Sequence, residues 1–139
     1  MLDLIIKNGQ CYIDGELKEV GVAIQDGKIY KIGQISEEAK ETINAEGQTV
    51  LPGCIDTQTH FREPGSTDTE DLHSGSRAAI VGGITSVFEM PNTNPPTSTK
   101  VEFQKKLDLA RNRMYCNYAF YFGATADNAN ELADLVNLE

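Results

Sequence analysis

The sequence predicts an α/β fold in which a small β-rich unit, residues 1–50, precedes strands that alternate with helices over residues 51–139. Gly residues and Asp-Gly pairs divide the first third into short runs rich in β-branched and aromatic residues, which is typical of strands joined by hairpins. From Thr49 onwards, apolar runs alternate with segments of helical periodicity. This alternation indicates βαβ units and a parallel sheet, because parallel neighbours need crossover connections.

The composition is that of a folded, acidic chain. Of its 139 residues, 40% are hydrophobic and 24% are charged, and the formal net charge is −9, so we expect neither a nucleic-acid nor a membrane partner. No apolar run approaches the roughly 18 residues of a spanning helix, and the N-terminus carries no secretion signal. The three cysteines form no CxxC pair, which favours free thiols and a cytoplasmic location.

The β-rich unit is predicted to be antiparallel. Asp14-Gly15 and Asp26-Gly27 lie between strand-like runs, and Asp-Gly in a two-residue loop is a strong hairpin signal. The segment SEEAKETINA, residues 36–45, has poor apolar spacing, so we expect a surface loop there.

Three strand–helix pairs are expected in the second part. The strand-like runs are TVLPGCID, ITSVFEM and YCNYAFYFGAT. Cys54, in the first run, is expected to be a small core residue. Thr99 is the expected N-cap of the second helix, and Glu102 completes a capping box. The buried stripes of the second and third helices follow the 3.6-residue period and comprise Phe103, Leu107, Ala110 and Met114, then Ala129, Leu132, Ala133 and Val136.

Polar residues at the end of the first of these strands are candidates for binding. Ligands of parallel α/β sheets bind at the carboxyl ends of the strands, and alternation places Asp56, Gln58 and His60 on one face. His60 is either a metal ligand, of the kind that reaches zinc at about 2.0–2.2 Å, or a residue that hydrogen-bonds the strand end. His73, in the first helix, is expected to be partly exposed and without a ligand role.

Arg62 and Asn92 are a second pair of candidates. A guanidinium in the loop after the first strand can hold a substrate carboxylate through two parallel hydrogen bonds. The alternative is a surface ion pair of Arg62 with Glu63 or Asp56. Asn92 follows the second strand, where its amide either holds a polar group of a ligand or forms an Asx-turn before the prolines.

Three segments, PGCIDTQTHFREPG, GSRAAIVGGITSVFEMPNTNPPT and YAFYFGAT, resemble the N-terminal part of a dihydroorotase of the amidohydrolase superfamily, in particular its longer bacterial type. The combination of HFREPG with MPNT is the specific part of this resemblance. Related allantoinases and hydantoin-cleaving enzymes share the strand-end histidines but usually lack this pairing of Arg with Asn.

The resemblance implies the N-terminal part of a TIM-type (β/α)8 barrel. Residues 51–139 would be its first three βα units, and residues 1–50 the N-terminal part of a composite β-sandwich domain. It also implies zinc at the C-terminal mouth of the barrel, as one ion or a pair. The implied reaction is the reversible hydrolysis of dihydroorotate to N-carbamoyl-L-aspartate in pyrimidine biosynthesis.

The resemblance also assigns roles to residues of this chain. By position, His60 and Gln58 correspond to zinc ligands of the first barrel strand, and Gln58 replaces a histidine by a poorer ligand. Arg62 and Asn92 correspond to the residues that bind the substrate's carboxylate. The other ligands and the catalytic Asp belong to later strands, so no catalytic residue is expected within this chain.

Two further interpretations stay open because of Gln58 and the length of the chain. One is a non-catalytic, dihydroorotase-like scaffold partner of aspartate transcarbamoylase, since non-catalytic relatives typically lose zinc-site histidines while keeping the barrel. The other is an inactive fragment. For an active enzyme the small-molecule partner would be dihydroorotate or carbamoyl aspartate, and a homodimer is an alternative to the complex with the transcarbamoylase.

Overall fold

The computed structural model describes residues 1–130 and 132. The chain divides into two compact units, Met1–Pro52 and Gly53–Glu139. The strands of the first unit are β1 (Leu2–Lys7), β2 (Gln10–Ile13), β3 (Glu16–Glu19), β4 (Gly21–Gln25), β5 (Lys28–Gly33), β6 (Ala39–Asn44) and β7 (Thr49–Val50).

Both predicted hairpins of the first unit are confirmed. β2 pairs with β3, and β4 with β5, in antiparallel fashion. At both turns the Asp and the Gly have positive φ, with values of 53° and 85° for Asp14 and Gly15. Two successive residues of positive φ match the twist of the flanking strands, which explains why Asp-Gly stands there.

The first unit is nevertheless mixed rather than antiparallel. The segment predicted to be a surface loop contains β6, which pairs in parallel with β1 in a sheet of order β5-β4-β1-β6. β6 is an edge strand whose residues are mostly exposed. Its sequence therefore lacks the apolar alternation that predicts a half-buried strand. A second sheet, β3-β2-β7, also contains a parallel pair. The buried residues of the larger sheet are Leu2, Ile5 and Ala23.

The second unit confirms the predicted α/β class. Its elements are β8 (Cys54–Thr59), α1 (Leu72–Val81), β9 (Ile84–Glu89), α2 (Lys100–Ala110) and β10 (Asn117–Phe120). The three strands form a parallel sheet of order β10-β9-β8, with one helix in each crossover. The predicted third helix, with its stripe from Ala129 to Val136, lies largely outside the described residues.

Both helices begin at side-chain caps. Thr99 caps α2 as predicted and accepts a hydrogen bond from the backbone N–H of Glu102. The Glu102 carboxylate, however, pairs with Lys105, which is three residues further along the same helix. Asp71 caps α1 through a reciprocal capping box with Ser74, which satisfies backbone donors at the helix start.

The core of the second unit lies between the sheet and the two helices. Its buried residues are Phe61, Leu72, Val87, Ala110, Cys116 and Phe120, and the predicted α2 stripe residues Phe103, Leu107 and Met114 pack against them. The core prediction for Cys54 is wrong: this thiol is exposed, because β8 is an edge strand of the sheet. Within residues 1–130 and 132, no helix has the length and apolar character needed to cross a membrane.

We expect Leu72→Ala to lower the free energy of unfolding by about 2–5 kcal/mol, because it leaves a cavity beside Phe61 and Val87. Leu72 is fully buried, whereas Val81, on the same helix, is 83% exposed. Val81→Ala is therefore a matched control and should change stability by no more than about 0.5 kcal/mol. Urea denaturation followed by circular dichroism measures both, and equal effects would contradict this packing.

Candidate active site at the carboxyl ends of two parallel strands

The candidate site is assembled by the pairing of β8 with β9. Thr59, the last residue of β8, is in register with Glu89, the last residue of β9. The Met90 N–H extends this ladder by donating to the Thr59 carbonyl at 2.9 Å. The loops that follow the two strands therefore start side by side at the edge where parallel sheets bind ligands.

The two loops meet through a hydrogen bond between His60 and Asn92. Their atoms Nδ1 and Oδ1 lie 2.8 Å apart. An amide oxygen only accepts, so Nδ1 carries the proton and donates it to Asn92. The neutral ring then presents the lone pair of Nε2, the form in which imidazole binds a metal ion. The structure thus brings together two of the predicted site residues and orients the histidine.

Gln58 is exposed and lies in an irregular part of β8. Two residues lie between Asp56 and Thr59, whereas one lies between their β9 partners, Val87 and Glu89, so β8 carries an extra residue. The strict alternation that placed Asp56, Gln58 and His60 on one face is therefore interrupted. The Asp56 carboxylate accepts a hydrogen bond from the Gln58 backbone N–H at 2.9 Å.

Arg62 presents an exposed side chain two residues after His60. The alternative that it pairs with Glu63 is wrong. The buried Glu63 carboxylate is bound instead by the two terminal nitrogens of Arg113, at 2.8 and 3.0 Å, and accepts the N–H of Leu72 at 2.9 Å. This bidentate pair ties the loop of Arg62 to the start of α1 and to the segment after α2.

The turn after β9 is not built by the Asn92 side chain. Thr93 donates its hydroxyl to the Pro95 carbonyl at 2.9 Å, and the Thr97 N–H donates to the Pro91 carbonyl at 2.9 Å. The Asx-turn alternative for Asn92 is therefore wrong, since its amide oxygen faces His60.

A buried ion pair lies directly beneath this turn. The Lys106 ammonium, from α2, contacts the Glu89 carboxylate, and the side chains are 1% and 0% exposed. Burial raises the pKa of Glu89 to about 7, although the charges of Lys106 and Arg62 act in the opposite direction. Burial also lowers the pKa of Lys106.

Sequence reasoning missed the two ion pairs that support the site. Lys106 stands three residues after Phe103 and four before Ala110, so helical spacing alone assigns it to the buried stripe. A lysine on that stripe and a glutamate at the end of the central strand of the sheet are the signal that indicates a buried pair. No comparable spacing joins Glu63 to Arg113, which are 50 residues apart.

The described residues contain one imidazole that a hydrogen bond orients at the carboxyl edge of the sheet, that of His60. Within residues 1–130 and 132, no group of three or more His, Cys, Asp or Glu side chains is arranged to hold a metal ion. His60 fits the role of a single ligand because the hydrogen bond from Nδ1 to Asn92 leaves the lone pair of the neutral ring on Nε2. His73 lies apart, exposed on α1 with its ring 5.0 Å from that of Tyr115.

Comparison with known proteins identifies the family of this chain. Residues 49–136 match the family model described as "Amidohydrolase family". The chain belongs to the amidohydrolase family.

Its relatives are cyclic-amide hydrolases by name. The chain is 40% identical over 134 residues to allantoinases of Salmonella choleraesuis and Escherichia coli, covering 96% of this chain and 30% of each relative. It is similar to the structure of the L-hydantoinase (dihydropyrimidinase) of Arthrobacter aurescens, with a TM-score of 0.88, 32% identity, and coverage of 97% of this chain and 31% of that one. A D-hydantoinase structure matches with a TM-score of 0.81 and 34% identity over 100% of this chain and 31% of that chain. The chain therefore spans about a third of the length of these relatives.

The burial of Glu89 predicts a pH-dependent stability. Because its pKa is raised from 4.5 to about 7 on folding, its contribution is fully present below pH 4.5 and is lost as the pH rises through about 7. We expect the free energy of unfolding to fall by up to about 3 kcal/mol across this interval.

Glu89→Gln should remove this slope, because the amide does not titrate. Urea denaturation at a series of pH values measures it, with Asp108→Asn, an exposed carboxylate on α2, as the control. Parallel pH profiles for Glu89→Gln and the unsubstituted chain would contradict the account.

Proposed function

We propose that this chain forms the N-terminal part of the active site of a metal-dependent cyclic amidohydrolase, and that its substrate is dihydroorotate. The single observation that carries the proposal is the pairing of His60 with Asn92 at the carboxyl edge of β8 and β9, beside the exposed Arg62. In this proposal the first residues after two neighbouring strands contribute one metal ligand and two substrate contacts.

The metal would be zinc, held in part by Nε2 of His60 and with Gln58 nearby in sequence as a weaker oxygen donor. When bound, zinc lowers the pKa of a water molecule and polarises the carbonyl of the scissile amide. The role of Asn92 towards the metal site is to hold His60 in the tautomer that leaves Nε2 free. The remaining ligands and the proton-transferring Asp would come from further strands of a (β/α)8 barrel.

The exposed guanidinium of Arg62 favours dihydroorotate as the substrate. Its ring carries a carboxylate, and Arg62 offers an exposed guanidinium whose planar fork matches a carboxylate. The neighbouring Glu63 does not compete for Arg62, because Arg113 binds its carboxylate. The Asn92 amide is exposed at the same edge and supplies a hydrogen-bond donor through its NH2 group.

Allantoin is the second candidate, and the 40% identity to allantoinases favours it. Its ring is uncharged, so it offers no carboxylate to Arg62. Hydrolysis of either substrate breaks a cyclic amide bond and consumes one water molecule, so the same metal site serves both.

The same proposal includes a domain arrangement, a cellular location and protein partners. The first unit would be part of a composite β-sandwich domain, and the enzyme would act in the cytoplasm as a homodimer or with aspartate transcarbamoylase. A non-catalytic scaffold of the transcarbamoylase and an inactive fragment remain the alternatives that an activity measurement separates from the enzyme.

Arg62→Met should lower kcat/KM for dihydroorotate about 100-fold in protein made from the complete reading frame. The loss corresponds to about 3 kcal/mol, as expected for a charge-assisted bidentate contact. Arg77→Met is the matched control, because Arg77 is an exposed arginine on α1, and it should leave kcat/KM unchanged.

Steady-state assays with dihydroorotate and with allantoin distinguish the alternatives. Turnover of allantoin alone, insensitive to Arg62→Met, would replace dihydroorotate by allantoin as the substrate. If neither compound is hydrolysed, the result would contradict the proposal that the protein is an enzyme. It would favour the non-catalytic scaffold or the inactive fragment.

A further inference from the structure

We propose that Lys106 is a positioning residue: its buried ammonium holds the turn Met90–Thr97 in the one conformation that brings Asn92 to His60. Lys106 itself touches neither of these side chains. The inference rests on the proposed function only for the role of Asn92 towards substrate; the hydrogen bond that Lys106 supports is a feature of the fold.

The ammonium contacts both ends of the turn. Its Nζ donates to the Met90 carbonyl at 3.3 Å and to the Thr97 hydroxyl at 3.4 Å. The Glu89 carboxylate and the ring of Phe120, whose centroid lies 5.1 Å from Nζ, hold the ammonium in place. One charge from α2 is therefore shared by the end of β9, the end of the turn and β10.

The restraint passes from Thr97 to the neighbour of Asn92. The hydroxyls of Thr97 and Thr93 lie 3.3 Å apart. The Thr97 backbone is itself fixed, since its N–H donates to Pro91 at 2.9 Å and its carbonyl accepts the N–H of Gly123 at 2.7 Å. Asn92 lies between Pro91 and Thr93, so its backbone has restrained residues on both sides.

A packing role alone does not account for a charge at this position. Replacing a buried ion pair by apolar residues of similar volume is often neutral or stabilising, so such a pair is weak support for stability. A methionine would fill the same space beside Phe120, but it would offer no donor to the Met90 carbonyl or to Thr97. The property specific to Lys106 is therefore the geometry of the turn.

The test reads the tautomer of His60 by two-bond 15N–1H NMR on the metal-free 139-residue chain, at a pH where the imidazole is neutral. His73→Gln assigns the signals, because His60 and His73 are the two histidines of the chain. The proposal expects an Nδ1–H tautomer for His60 in the unsubstituted chain. Lys106→Met should convert it to the Nε2–H tautomer that exposed histidines favour, with the fold retained by circular dichroism.

Lys105→Met is the matched control. Lys105 is the preceding residue of α2, is 63% exposed and pairs with Glu102, so its loss should leave the His60 tautomer unchanged. If Lys106→Met unfolds the chain, the double variant Lys106→Met with Glu89→Leu removes both buried charges and should fold but lack the Nδ1–H signal.

Three outcomes would overturn the proposal: an Nδ1–H signal that survives in a folded Lys106→Met chain, its absence from the unsubstituted chain, and a double variant that also fails to fold. The last would make Lys106 a residue required for stability. Failure of the proposed function is a separate result, because absent hydrolysis in the complete protein leaves the tautomer of His60 unaffected.

Discussion

The structure of the candidate site depends on one constraint, the parallel pairing of β8 with β9 up to their last residues. In an antiparallel pair the carboxyl ends would lie at opposite edges, and His60 and Asn92 would be a strand length apart. Parallel register places Thr59 opposite Glu89, so the next residues of both strands enter neighbouring loops. The 2.8 Å hydrogen bond between His60 and Asn92 is the direct consequence.

Two ion pairs keep these neighbouring loops in place from the side of the helices. Glu63 with Arg113 fixes the loop that presents Arg62, and Glu89 with Lys106 underlies the turn that presents Asn92. Glu63 lies in the loop after β8 and Glu89 ends β9, and each pairs with a residue from α2 or the segment after it. The candidate binding residues on these loops are in this way supported by ion pairs whose carboxylates, Glu63 and Glu89, are buried.

The strand–helix order, the hairpins and the Thr99 cap could be predicted because short-range patterns determine them. β6 could not, since an exposed edge strand carries no apolar alternation and owes its conformation to its partner β1. At the site, the residue types at His60, Arg62 and Asn92 predicted candidate binding residues. The extra residue in β8 and the pairing of Glu63 with Arg113 could not be predicted, because they depend on partners distant in sequence. Register and long-range ion pairs are properties of the tertiary structure, and no local spacing encodes them.

We propose that His60 is a metal ligand of a cyclic-amide hydrolase and that Asn92 orients its ring. The most direct test is the zinc content, measured by elemental mass spectrometry, of protein made from the complete reading frame, with His60→Ala beside it. The account predicts at least one zinc ion per chain in the unsubstituted protein and a clear loss of zinc in His60→Ala. A protein without zinc, or a zinc content that His60→Ala does not change, would contradict it.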